Sequence, residues 1–470
     1  AAVDPPPMMV PPRAPEFLPP GKSDPLPAPR PVETPPVWAP APAGAPAAAP
    51  QPELHPAPPE LMYPAGALEV NKHGAFGSAP IRLSRDYPSF AGRDVNLAGD
   101  DGSLTNRFFV RGEYLLWWVP GFPVPVLGTS NANTALNGYF GEPGTTAILG
   151  PGPLLDSTRS GFRIRAGAWL DDGHSCGIDG SFFFLGNLSD TRARTPDQFP
   201  LITRPIFAPN TLPGAAAPLG EFGEAVAVPG ILNGTLSARS DSRLWGADVN
   251  LRKCLVTECN WRAEWFVGYR HLNLRESLTI GENITVVGSG AGRLAISDPV
   301  GTRVVVQDRF LTHNYFNGGQ IGAYYERRFG RWDVDARGSV ALGSTHQVLE
   351  ISGFQTRARP DGTVMNFRGG LLAAGPNLGK FERDKFSVAP EFTLNAGYWV
   401  LPHLRVFAGY NFLLWTNVIR PGDQIDRVVD VSFVPNAPGA PFSGQNRPHP
   451  LFAQRDLVVN GVQFGLDWRW

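Results

Sequence analysis

The chain has 470 residues, a formal net charge of −1 and only 18% charged residues, so it carries neither a basic field for nucleic acid nor an acidic tail. Three cysteines, Cys176, Cys254 and Cys259, are too few for a disulfide scaffold and form no CxxC pair. No apolar run reaches the roughly 18 residues of a helical membrane span; the richest, YLLWWVPGFPVPVLG at 114–128, carries three prolines and would not stay helical.

At the front, residues 1–60 hold 22 prolines and no hydrophobic period. Such a segment buries too little apolar surface to fold and favours extended polyproline conformations. It reads as a disordered spacer, with a ligand for a proline-reading partner as the functional alternative. Residues 61–105 read as linker, with a short ordered piece near AFGSAPIRLSRDY. The opening AAVDPPP has no basic n-region and no apolar h-region, so the chain reads either as cytosolic or as a mature, processed form.

From residue 106 onward, strand-like segments recur, each alternating with period two. RFFVRGEYLLWWV (107–119) sets Phe108, Val110, Tyr114, Leu116 and Trp118 against Arg107, Arg111 and Glu113. FRIRAGAWL (162–170) sets Phe162, Ile164 and Ala166 against Arg163 and Arg165. CGIDGSFFFLG (176–186) sets Ile178, Phe182 and Phe184 against Asp179 and Ser181, and LWGADVNLR (244–252) sets Trp245, Val249 and Leu251 against Asp248, Asn250 and Arg252. In WRAEWFVGYR (261–270), Trp261, Trp265, Val267 and Tyr269 oppose Arg262, Glu264 and Arg270. NGGQIGAYYERR (317–328) sets Ile321, Ala323 and Tyr325 against Gln320, Tyr324 and Glu326, and WDVDARGSVAL (332–342) sets Trp332, Val334 and Val340 against Asp333, Asp335 and Arg337. SVAPEFTLNAGYWV (387–400) sets Phe392, Leu394 and Tyr398 against Glu391, Thr393 and Asn395, and LRVFAGYNFLLW (404–415) sets Val406, Tyr410 and Phe412 against Arg405 and Asn411. The tenth segment, GVQFGLDWRW (461–470), places Val462, Phe464, Leu466, Trp468 and Trp470 on one face and Gln463, Asp467 and Arg469 on the other.

In a soluble β-sandwich binding protein, the alternative architecture, the apolar face turns to a shared core. Here Trp and Tyr cluster near the ends of the apolar faces, as in the interfacial girdles of a membrane barrel, and about 9–11 residues suffice to cross a bilayer as a tilted strand. The connections are an independent test. Those at 171–175, 253–259, 329–331 and 401–403 are short, whereas 120–160, 186–241, 271–316, 343–386 and 416–455 are long. Strict alternation of tight turns and long loops belongs to outer-membrane barrels. The reading is therefore all-β: a closed antiparallel transmembrane barrel of about ten strands (eight to twelve) over 106–470, behind a disordered tether over 1–105. An even strand number places both termini on the periplasmic side, and Trp470 then lies in the lipid interface.

FFVRGEYLLWW, FVGYRHLNLRE, GYNFLLWTNVIRPGDQID (409–426) and the final GVQFGLDWRW together resemble the large BBP-type family of outer-membrane β-barrel proteins of planctomycete-type bacteria. The resemblance covers roughly 106–470. It implies an outer-membrane location and a mature sequence from which a leader has been removed. It brings no catalytic residues, cofactor or substrate. The last strand also resembles the carboxy-terminal signal that barrel-assembly machinery reads. The implied partners are the lipid bilayer, that machinery and a periplasmic reader of the proline-rich segment.

The candidate site is the barrel lumen, lined by Arg111, Glu113, Arg163, Arg165, Asp179, Asp248, Arg262, Glu264, Arg270, Glu326, Asp333, Asp335, Arg337, Glu391, Arg405 and Asp467. These charges fit either a selective pore or a plug of mutually neutralising pairs. Ten strands enclose little more than their own side chains, which favours the plug. Cys254 and Cys259, in a turn facing an oxidising compartment, are candidates for a disulfide. A hydrolase alternative would need an acid–base site on the loops, such as His271 near Arg270 and Glu276, but no HExxH or GxSxG spacing supports it. The expectation is a non-enzymatic protein without metal or cofactor; Asp423 and Asp426 lack EF-hand spacing for calcium, and GSGAGR (288–293) lacks the strand–helix context of a phosphate cradle.

Overall fold

The computed structural model describes residues 107–209, 220–289, 298–435 and 442–470. The tether, the linker and most of GSGAGR lie outside the described residues. Ten antiparallel strands form the barrel: β1 (Phe108–Val119), β2 (Ser157–Trp169), β3 (Cys176–Arg194), β4 (Leu232–Thr257), β5 (Trp261–Val286), β6 (Arg303–Phe329), β7 (Trp332–Ala358), β8 (Gly379–Leu401), β9 (Leu404–Ile419) and β10 (Gln454–Arg469). Each pairs with its neighbours in sequence, and β1 pairs with β10 to close the ring. At that seam Phe108 and Trp470 exchange backbone hydrogen bonds of 2.9 and 3.0 Å, and their rings stack. The last residue of the chain is thus part of the closure.

The four short connections all lie at one end, the turn end. One of the two shortest, Gly330–Arg331 between β6 and β7, uses a left-handed glycine, φ 65° at Gly330. The connection at 253–259 is shorter than its sequence suggests, because β4 runs on through Thr257 and leaves only residues 258–260 in the turn.

The strands are much longer than the expected segments. β5 has 26 residues and β6 and β7 have 27 each, more than twice what a bilayer requires. Residues 271–316 and 343–386, expected as loops, are mostly continued strand. The reason is a reversal of polarity along one unbroken alternation. On β5 the outward residues near the turn end are Trp265, Val267 and Tyr269, with Arg262, Glu264 and Arg270 inward. Beyond Tyr269 the outward positions are His271, Asn273, Arg275, Ser277 and Thr279, while Leu272, Leu274, Leu278 and Ile280 turn inward and are fully buried. β8 switches at the same level: Lys380, Glu382 and Asp384 face out, then Phe386, Phe392 and Leu394. One half of the barrel is therefore dressed for lipid and the other for water.

The second half is capped. Strands Gly128–Asn131, Thr145–Leu149, Ile202–Ala208 and Gly220–Ala227 form a small sheet, and Phe122–Val124 pairs with Gly152–Leu154. Phe122, Ile202, Ile206 and Val226 of this cap join Leu278, Ile280, Phe310 and Leu349 of the barrel wall in one buried apolar core.

Candidate functional site

All sixteen predicted lumen residues face inward, and all but Asp248 and Glu391, which are partly exposed, are buried. With Arg252 and Arg469, which share the same faces, they form a belt in the turn-end half. Its nine arginines (Arg111, Arg163, Arg165, Arg252, Arg262, Arg270, Arg337, Arg405, Arg469) are matched by nine carboxylates (Glu113, Asp179, Asp248, Glu264, Glu326, Asp333, Asp335, Glu391, Asp467) among the described residues. Arg111 donates to Asp467 at 2.9 Å and reaches Asp335 at 3.5 Å. Arg405 holds Asp333 at 2.9 Å and Asp335 at 2.6 Å. Arg469 joins Glu326 at 3.0 Å to Asp467 at 2.9 Å. Arg262 lies 2.7 Å from Glu264, which also accepts from Arg252 at 2.8 Å, and Arg337 donates to Asp179 at 3.1 Å. Arg163 donates to Glu391 at 2.6 Å and lies 3.7 Å from Glu113; Arg270 donates to the same Glu391. Asp248 accepts from Ser181 and, at 2.7 Å, from Asn250. Amides complete the net: Asn395 donates to Asp335 and Gln463 to Asn395.

Directly above this belt the lumen turns apolar. Leu115, Trp117, Phe183, Leu185, Leu244, Leu272, Phe316, Leu413, Trp415 and Leu457 meet in a second buried core that crosses the barrel. Trp117 and Trp415 have no exposed surface; Trp117 packs on Phe183 with centroids 5.3 Å apart, and Trp415 packs edge-on against Phe316. Gly461, opposite Trp117 in the β1–β10 ladder, leaves room for the indole: a Cβ there would lie 2.7 Å from Trp117 Cδ1.

The stretch following β9 closes the barrel above this septum. Arg420 is buried and donates to both oxygens of Glu276 at 2.8 and 2.6 Å, and to the carbonyl oxygens of Pro120 and Gly121. Asn314 accepts from the Ile419 amide and donates to its carbonyl, which docks the end of β9 across the lumen. Asp423 is held by Arg455 at 2.5 and 2.6 Å, and Asp426 by Arg447 and His449. These two carboxylates thus serve as cap fasteners, and no cluster able to hold a metal occurs among the described residues. Higher still, Arg204 of the cap inserts between Glu282 and Asp308 of the wall. Burial, then the adjacent Glu282 carboxylate, push the Glu224 carboxyl well above its usual range.

One expectation is corrected, and the grouping named for the hydrolase alternative is not assembled. Cys254 and Cys259 form no disulfide; both are free thiols. Cys254 belongs to β4, where the ladder shifts register at Cys254/Val256, and its sulfur sits 2.9 Å from the Thr257 hydroxyl, while Cys259 lies exposed in the turn. The His271–Arg270–Glu276 grouping is also not brought together. Arg270 and Glu276 face inward to Glu391 and Arg420, whereas His271 faces outward, 2.8 Å from Asn317 and against the Trp245 ring. Sequence reasoning misses Arg420, Arg204, Glu282 and Asp308 and reads Glu276 only as a loop neighbour of His271; all five lie in stretches read as loops. Extending the inward parity of Arg270 six residues would have reached Glu276.

Among solved structures, the chain is similar to the outer-membrane protease OmpT of Escherichia coli, at 12% identity over 78% of this chain and 99% of that one, TM-score 0.33. It is also similar to the toluene transporter TodX of P. putida (8% identity, 78% and 90% covered, TM-score 0.17) and to OmpT of Vibrio cholerae (11%, 77% and 97%, TM-score 0.12). At these scores the likenesses say nothing about activity. No curated protein matches. The sequence model of one family, described as "Putative beta barrel porin-7 (BBP7)", matches residues 109–470, which span the whole barrel and its cap. This chain is an outer-membrane β-barrel protein and belongs to the BBP7 family.

Proposed function

We propose that this protein is a sealed, structural barrel rather than an open pore. The carrying observation is the apolar septum: Leu115, Trp117, Leu272 and Trp415 meet across the lumen with no exposed surface. Ions crossing it would have to shed their hydration without any polar partner. The belt beneath is charge-matched and so provides no net field to draw one sign of ion through. In this reading the capped end faces outward as the surface presented to the environment. The turn end and the proline-rich segment face the periplasm, where that segment tethers the barrel or meets a proline-reading partner. β10 is the strand handed to the assembly machinery, and the lipid bilayer is the principal partner. The protein has no enzymatic role.

Planar-bilayer recordings of the purified full chain test this directly. The expected trace is silent at ±100 mV across a range of salts. Stepwise conductance increments from the unmodified chain would overturn the sealed reading in favour of a porin.

A further inference from the structure

We propose that the turn-end half of the lumen holds a binding site for a small oxyanion, centred on Arg165. Arg165 is 7% exposed, yet among the described residues it makes no hydrogen bond and no ion pair, and its Nε is buried without an acceptor. Its eight companions in the belt are all engaged with carboxylates. The cause lies in the register: Arg165 stands directly opposite Arg111 in the β1–β2 ladder, and Arg111 takes Asp467 and Asp335. The nearest cross-strand neighbour on the other side, Ser181, is committed to Asp248. Asp248, Asp179 and Glu113 lie close enough to offset its charge, but none accepts a hydrogen bond from it, so its buried Nε is left without an acceptor. A bound oxyanion supplies acceptors for this guanidinium.

Arg165 borders a small cavity, of ≈ 30 Å³, whose walls also carry Arg111, Arg252, Arg262, Arg337 and Arg469 against only Asp179 and Asp467. The belt as a whole is balanced, but its carboxylates are distributed unevenly: Glu264, Glu326 and Asp335 stand behind the arginines rather than in this wall. The cavity aromatics do not compete for the guest, because Trp169 and Phe109 are already stacked by Arg252 at 5.0 and 5.2 Å. Trp169 and Arg469 are the last residues of β2 and β10, so the cavity lies at the turn end, while a smaller one of ≈ 10 Å³ borders Arg165 together with Asp248, Arg270 and Glu391. The planar guanidinium fork suits a tetrahedral or planar oxyanion such as phosphate, sulfate or a small carboxylate.

The test is calorimetric titration of the detergent-folded full chain with inorganic phosphate at fixed ionic strength, together with thermal unfolding. The wild type should bind saturably at one site. Arg165→Met and Arg165→Gln should weaken binding at least tenfold, and Arg243→Gln, on the outer face, should leave it unchanged. In thermal unfolding, added phosphate should raise the midpoint of the wild type and leave that of Arg165→Met unmoved. Absence of saturable binding by the wild type would overturn the proposal. So would unchanged affinity in Arg165→Met, or an equal phosphate-induced rise in the melting midpoint of that variant. The two proposals fail separately: conductance through the barrel would contradict the sealed reading, and only the titration and melting results decide the anion site.

Discussion

Arg405 has no exposed surface and holds Asp333 and Asp335 at once, whereas Arg165 a short distance away holds neither acid. The same residue type in the same belt therefore plays two parts, and substitution separates them. Arg405→Met strands two buried carboxylates and should cost roughly 3–5 kcal/mol, read as a lowered midpoint in urea-induced unfolding from detergent. Trp117→Ala should cost a similar ~3–5 kcal/mol through cavity formation, with the β-sheet circular dichroism of the folded state unchanged. The inward charges were legible because parity alone assigns a face once one end of a strand is known, and all sixteen candidates were reached that way. Which arginine goes without a partner was not legible: it depends on cross-strand register, and period two says nothing of it.

At the scale of the strand, the missed feature is the reversal beyond Tyr269 on β5 and Asp384 on β8. HLNLRESLTIGENITV continues to alternate, but its apolar face has changed sides, so a search for lipid-facing runs stops at the girdle. The reversal predicts opposite responses to one substitution. Val267→Arg, in the outward apolar band, should cost about 2–4 kcal/mol, whereas Asn283→Arg, outward on the same strand past the switch, should be close to neutral; refolding titrations into lipid vesicles check both. The cap adds a pH response. The Glu224 carboxyl is raised above its usual range by burial and by Glu282, so its stabilising contribution is complete below the ordinary carboxylate range, roughly pH 4, and fades as pH rises toward its raised value. Limited proteolysis of the cap should therefore accelerate from acid to alkaline pH, and Glu224→Gln should flatten that dependence.

Over the whole molecule, strand number, closure and the alternation of short and long connections could be read from 106–470, because each rests on local patterns repeated ten times. The cap could not: Arg204 finds Glu282 and Asp308, and Arg420 finds Glu276, across separations of 78 to 144 residues that no periodicity links. The same long-range packing decides whether the barrel is open, since the septum takes one to three residues from every strand but β2. Its water-tightness is tested most directly by placing a single cysteine at Leu272, with Cys176, Cys254 and Cys259 replaced by serine, and adding a membrane-impermeant thiol reagent to both faces of reconstituted vesicles. The folded Leu272→Cys barrel should stay unlabelled from either side and react only after thermal unfolding, while Asn283→Cys reacts at once. Labelling of folded Leu272→Cys at the rate of Asn283→Cys would mean that water reaches the centre of the septum and that the lumen is open.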